Sequence, residues 1–186
     1  MTCIVGLETE LGVIIGGDSA GVSGYNLTIR ADLKVFKVDQ YVMGFTGSFR
    51  MGQILRYRAS LPKASVFDPE FDADRFMATT FVDNIRQAFK DGGYAKVSES
   101  VESGGTFLVG LQDRLYAIDS DFQIGRSVDG YDAIGCGANL ALGCLYATRM
   151  SSASERFRVT MALEAAAHFS AGVVEPFHLV DNEQPA

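Results

Sequence analysis

The chain has 186 residues, 47% of them apolar, and a formal net charge of −7. That length suits one domain, 1–186, with a sizeable core, and the acidic balance argues against a general nucleic-acid binder. The cysteines Cys3, Cys136 and Cys144 make neither a disulfide framework nor a metal-ligand spacing; with no apolar run long enough for a membrane span and no secretory signal, the expectation is a cytoplasmic protein with reduced thiols.

In chain order, Cys3–Leu7 reads as a strand, Glu8–Gly12 as a turn and Val13–Asp18 as the hairpin partner. Val13-Ile14-Ile15 is apolar at consecutive positions, which suits a sheet covered on both faces. Ala20–Tyr25 is rich in glycine and serine and is expected as a loop. Asn26–Ala31, Lys34–Val38 and Tyr41–Thr46 are short strands with turns between them, a pattern of antiparallel sheet. Ser48 caps a helix over Phe49–Ser60. After a loop at Pro62–Phe71, Asp72 or Asp74 caps a longer helix ending at Gly92-Gly93. Its Ala78, Phe81, Val82, Ile85, Ala88 and Phe89 share one face, a stripe for packing on a sheet. Tyr94–Ser103 is polar and expected as a loop. A second set of strands follows at Gly105–Leu111, Leu115–Ile118 and Phe122–Val128. Helices at Asn139–Thr148 and Glu155–Phe169, a last strand at Val173–Val180 and a polar tail from Asp181 complete the chain. Strands, helices, strands and helices in that order make an α+β chain of two antiparallel sheets with helices outside.

The first 47 residues carry the chemistry. Removal of Met1 would leave Thr2 with a free α-amine beside its own hydroxyl. A hydroxyl is a poor nucleophile near neutral pH and needs a base; the amine, with an unperturbed pKa of about 7.7–8.0, can serve. Threonine is small enough for ordinary methionine removal, so self-cleavage need not be invoked. A Met-Thr opening alone carries no weight; the weight comes from three residues downstream. Lys34, in Leu33-Lys34-Val35-Phe36, is either an outward strand residue or an ammonium that lowers the amine's pKa. Asp18, at the end of Val13-Ile14-Ile15-Gly16-Gly17-Asp18, is a turn former, a partner that keeps such a lysine charged, or both. Gly47, in Gly44-Phe45-Thr46-Gly47-Ser48, shapes a strand-to-helix turn and leaves its N–H open to a developing oxyanion.

At these residues the sequence resembles the proteasome β-subunit and HslV family, the N-terminal-threonine branch of the Ntn hydrolases. Asp18 lies 16 and Lys34 32 residues after Thr2, as the family's aspartate and lysine do. Thr2-Cys3-Ile4-Val5-Gly6 is similar to its first strand, Gly44–Ser48 to its oxyanion loop, and Ala133-Ile134-Gly135-Cys136-Gly137 to its Gly-Ser-Gly element. The resemblance implies a four-layer αββα sandwich, stacked homo-oligomeric rings enclosing a chamber, a threonine-type endopeptidase acting on peptide or unfolded protein, and an ATPase unfoldase as a possible partner. No metal, organic cofactor, nucleic acid or membrane is implied. Thr2, Asp18, Lys34, Gly47, Cys136 and Ser170 would form the catalytic set, and Gly21, Val22, Asp32, Phe45 and Phe49 the substrate pocket, with Phe45 making it apolar or short. Two departures stand out. Cys136 replaces the usual serine, and a thiol is a weaker donor. Ala167 stands three residues before Ser170, where the family often has aspartate. They support one alternative, a ring subunit without catalysis; a second alternative, an Ntn amidohydrolase of small amides, stays open beside it, although such relatives more often start at cysteine or serine and lack this lysine offset.

Overall fold

The computed structural model describes residues 1–65, 68–99 and 101–182. The chain opens with β1 (Cys3–Glu8) and β2 (Val13–Gly17), then β3 (Ala20–Ser23), β4 (Asn26–Ile29), β5 (Val35–Val38) and β6 (Tyr41–Phe45). Helix α1 (Phe49–Tyr57) begins at Ser48, whose side chain accepts the N–H of Met51 and so satisfies one of the free donors of the first turn. The second helical stretch runs as α2 (Ala73–Phe76), a π turn (Met77–Phe81) and α3 (Val82–Asp91). Asp72 is its cap, through the N–H of Arg75, whereas Asp74 accepts the Tyr116 hydroxyl at 2.8 Å. Next come β7 (Lys96–Ser98), β8 (Val101–Ser103), β9 (Phe107–Leu111), β10 (Arg114–Ile118), β11 (Ile124–Gly125) and β12 (Tyr131–Gly135). Helices α4 (Ala138–Ala147) and α5 (Glu155–Phe169) and strand β13 (His178–Asp181) close the chain.

The strands form two main antiparallel sheets, one ordered β12-β1-β2-β13 and the other β11-β10-β9-β6-β5. Alternation along β1 sets which side chain goes where. Cys3, Val5 and Leu7 pack with Leu145, Val159 and Leu163 of α4 and α5, while Ile4 joins Ile15, Val35, Val42, Leu108 and Leu115 from both sheets. A third apolar group places Met43, Phe107 and Tyr116 against Met51, Ile54, Phe81, Ile85 and Phe89 of the helices after β6. Gly44 permits the close approach of strands: a Cβ there would lie 2.5 Å from Ile4 and 2.9 Å from Ile15.

Several sequence expectations are corrected. Ala20–Ser23 is not loop but a strand paired with β4 in its own two-stranded sheet; its glycine and serine hid the alternation. The polar stretch after Tyr94 carries the β7–β8 hairpin. The strand expected over Phe122–Val128 shrinks to two residues, because Phe122 turns left-handed at φ +66° and breaks the extended run. β12 went unread behind the glycines that follow it. In the helix stripe Ala78 is exposed and Met77 is buried, since the wider π turn shifts the face. Val173–Val180 contributes only its end to the sheet; the Val174 N–H and the Val174 and Pro176 carbonyls turn instead toward Asp18 and Ser19. Residues 66–67 of the expected loop, Ser100 and the tail at 183–186 lie outside the described residues.

Candidate active site

Pairing of β1 with β2 sets Ile4 opposite Gly17, so the residue after β2 comes to lie beside the residues before Ile4. Asp18 therefore meets Cys3 and Thr2: its Oδ1 accepts the Cys3 N–H at 3.0 Å. Lys34 stands at the entry to β5, and its carbonyl accepts the Phe45 N–H at 3.1 Å, which holds this end of β5 beside β6. Its Nζ donates to Asp18 Oδ1 at 2.8 Å and to Thr2 Oγ1 at 3.0 Å. Thr2, Asp18 and Lys34 are 3%, 1% and 3% exposed, so the lysine points inward, not to water.

Asp18 is saturated with donors. Besides Cys3 and Lys34 on Oδ1, its Oδ2 accepts the N–H of Ala20 at 2.9 Å and of Val174 at 3.4 Å. These four donors fill the acceptor positions of both carboxylate oxygens. Lys34 is pulled in two directions. Burial lowers its pKa from the ordinary lysine value, against which the hydrogen bond and charge of Asp18 hold it up. Burial pushes the Cys3 thiol up to about 12, with Asp18 adding to the shift, so Cys3 is an inert thiol at neutral pH.

Beyond β12 the chain wraps the backbone of Thr2. The Thr2 N–H donates to Cys136 Sγ at 3.3 Å, and its carbonyl accepts from Cys136 Sγ and the Gly137 N–H, both at 3.4 Å. Cys136 Sγ also lies 3.6 Å from Ser170 Oγ, at the end of α5. The Thr2 hydroxyl bonds the Met1 carbonyl. Gly135 has φ +98°, and a Cβ on it would sit 2.2 Å from the Thr2 carbonyl oxygen; only glycine fits. Gly47 has φ +87° with open space where a Cβ would stand, so there the backbone conformation is what selects glycine.

A cavity of about 60 Å³ adjoins Thr2, lined by Met1, Ala20, Val22, Lys34, Phe45, Gly47 and Phe49. Two residues expected near this pocket, Gly21 and Asp32, do not themselves line the cavity. Asp32 lines a neighbouring recess behind Phe45 and Phe49, gripped by Arg30 through bonds of 2.6 and 2.7 Å. That ion pair, with hydrogen bonding to Arg30 the larger cause, lowers the Asp32 pKa. Gly21 faces the Arg30 side chain, and the guanidinium lies 4.2 Å over the Phe49 ring. Sequence reasoning missed Ala20, Gly135 and Val174. Gly135 was visible in its Gly-x-Gly element; the Val174 contact, 156 residues from Asp18, has no local signal. Among the described residues, no group of three or more His, Cys, Asp or Glu is placed to hold a metal ion, and no helix is long and apolar enough to cross a membrane.

The fold defines a class: it is the fold of solved proteasome-like proteins. The chain is similar to BPH from Thiobacillus denitrificans, solved in complex with epoxomicin, with a TM-score of 0.78 and 20% identity over 98% of this chain and 100% of that one. It is similar to eukaryotic HslV from Trypanosoma brucei at a TM-score of 0.67 and 15% identity, covering 96% and 98% of the two chains. A third likeness is to an Anbu (Gly-1) mutant from Hyphomicrobium sp. strain MC1, at 0.68 and 17%, covering 98% and 82%. In sequence the chain matches no protein-family model and no curated protein. The likeness read from the opening residues thus holds at the level of the fold.

Proposed function

We propose that the chain is a threonine-type endopeptidase: a single domain of four αββα layers that assembles into a ring-shaped particle with an enclosed chamber. The observation that carries the reading is the buried Lys34 ammonium bridging Asp18 and the Thr2 hydroxyl. Once Met1 is removed, the Thr2 amine replaces an amide and can act as base. Thr2 Oγ1 attacks the scissile carbonyl, and the amine takes its proton and returns it to the leaving amine. The positive charge of Lys34 disfavours protonation of that amine, and Asp18 keeps Lys34 in place. The Gly47 N–H stabilises the oxyanion. Water then hydrolyses the ester on Thr2. Cys136 and Ser170 orient the amine, and Val22, Phe45 and Phe49 receive the residue before the cut. Substrates are peptides or unfolded proteins, delivered in the cytoplasm with or without an ATPase unfoldase.

The test is mass spectrometry of the N-terminus combined with a peptide electrophile; epoxomicin, the ligand in the BPH complex, is a natural second probe. Labelling at a demethionylated Thr2, lost in Lys34→Ala, is expected. A second reading, a ring subunit without catalysis, is favoured by one observation: the Thr2 nitrogen faces a thiol, a weak partner. Demethionylated protein that resists every electrophile supports that reading instead.

A further inference from the structure

Gly172 is buried, yet its backbone needs no glycine, because its φ lies outside the left-handed region. What it provides is room. A Cβ there would lie 2.5 Å from Met1 Cβ, 2.8 Å from Met1 Cγ and 2.8 Å from Cys136 Sγ. The missing side chain makes a notch, and the first two side-chain carbons of Met1 sit in it. Met1 as a whole remains 58% exposed, so the notch grips the start of the side chain and leaves the remainder free.

We infer that this notch over Gly172, walled by Cys136, seats the side chain of the residue on the leaving-group side of the cut bond, and that it selects there against branching at the β-carbon. The inference rests on the peptidase reading and adds a specificity to it. In that reaction the leaving nitrogen receives its proton from the Thr2 amine, so it passes within hydrogen-bond distance of Thr2 N. Cys136 Sγ, 3.3 Å from Thr2 N, is also a wall of the notch. A residue whose nitrogen reaches the Thr2 amine therefore carries its side chain to Gly172. The acyl side of the substrate goes to the cavity lined by Val22, Phe45, Gly47 and Phe49, which Met1 also lines and whose lining does not include Gly172. The closest approaches to Met1 in the notch are to its β- and γ-carbons, and the residue as a whole stays 58% exposed, so an unbranched chain fits with its far end free. A second substituent on the β-carbon meets Cys136 or the Gly172 backbone. A hydrophobic contact of this size is enough for tenfold discrimination.

The same notch serves the reverse approach, in which an added amine attacks the acyl-enzyme. The amine nitrogen bonds to the acyl carbon, the ester bond to Thr2 Oγ1 breaks, and the proton passes through the Thr2 amine to Oγ1. Water gives the acid by the same route. The experiment uses demethionylated full-length protein, a peptide ester as fixed acyl donor, and methioninamide, norleucinamide, valinamide or isoleucinamide as acceptor. The amide-to-acid product ratio is measured and divided by each amine's uncatalysed reactivity with the same ester. Methioninamide and norleucinamide are expected to trap the acyl group at least tenfold better than the two β-branched amines. Gly172→Ala is expected to reduce trapping by methioninamide at least tenfold. Valinamide trapping within twofold of methioninamide in the unsubstituted protein overturns the inference while leaving the peptidase reading intact. Absence of any acid product overturns the peptidase reading and the inference with it.

Discussion

Asp18→Asn is the sharpest test of the buried charge pair. The substitution keeps shape and removes charge, yet every neighbour of the carboxylate is a donor. Oδ1 faces Lys34 Nζ and the Cys3 N–H, and Oδ2 faces the N–H groups of Ala20 and Val174. An amide must turn its NH₂ toward one of these two donor pairs, whichever way it is flipped. It also strands an ammonium whose side chain is 2% exposed. Removing one partner of such a pair costs about 3–5 kcal/mol. Asp32→Asn is the matched control: the Arg30–Asp32 pair, with side chains 38% and 40% exposed, falls among surface pairs contributing about 0–1 kcal/mol. Urea unfolding at neutral pH, with unchanged m-values, reads both. A loss in Asp18→Asn below about 1 kcal/mol, no larger than in Asp32→Asn, refutes the view that Lys34 is held as a buried ammonium by Asp18.

Further outcomes follow from the same geometry. The folded-state pKa of Lys34 is lowered, so between that value and about 10.4, the ordinary lysine value, the unfolded chain binds more protons at this site. Stability from this group therefore rises with pH across that window, while activity that needs the ammonium falls; an alkaline loss of turnover with unchanged circular dichroism is expected, and simultaneous unfolding contradicts it. Cys136→Ser supplies a better hydrogen-bond partner, and a net bond of about 0.5–1.5 kcal/mol corresponds to a roughly two- to tenfold gain in kcat/KM; an unchanged or lower value argues against an orienting role for residue 136. Gly135→Ala forces a Cβ to 2.2 Å from the Thr2 carbonyl oxygen at φ +98°. It should lower stability by at least about 1–3 kcal/mol and abolish Thr2 labelling, which thermal melts and mass spectrometry check together.

The order and type of most elements were legible because short-range chemistry sets them. Ser48 caps α1 as expected, Glu155–Phe169 is helical over the range read from the sequence, and consecutive apolar residues in Val13–Ile15 mark a strand buried on both faces. The family-like spacing of Thr2, Asp18 and Lys34 pointed to three residues that do converge: Thr2 and Asp18 flank the paired strands β1 and β2, and Lys34 enters β5 of the other sheet. Only tertiary structure decided the remainder. Alternation gave Lys34 two possible faces, and its inward one is settled by the saturated carboxylate it meets. The strand in Ala20–Ser23 depends on its partner β4, and Asp18 takes its last donor from Val174 across the whole chain. Glycine at 135 answers to a carbonyl oxygen, and glycine at 172 to Met1 and Cys136. Contacts of this range depend on how two sheets and a returning C-terminal segment meet, and local residue preference does not encode that.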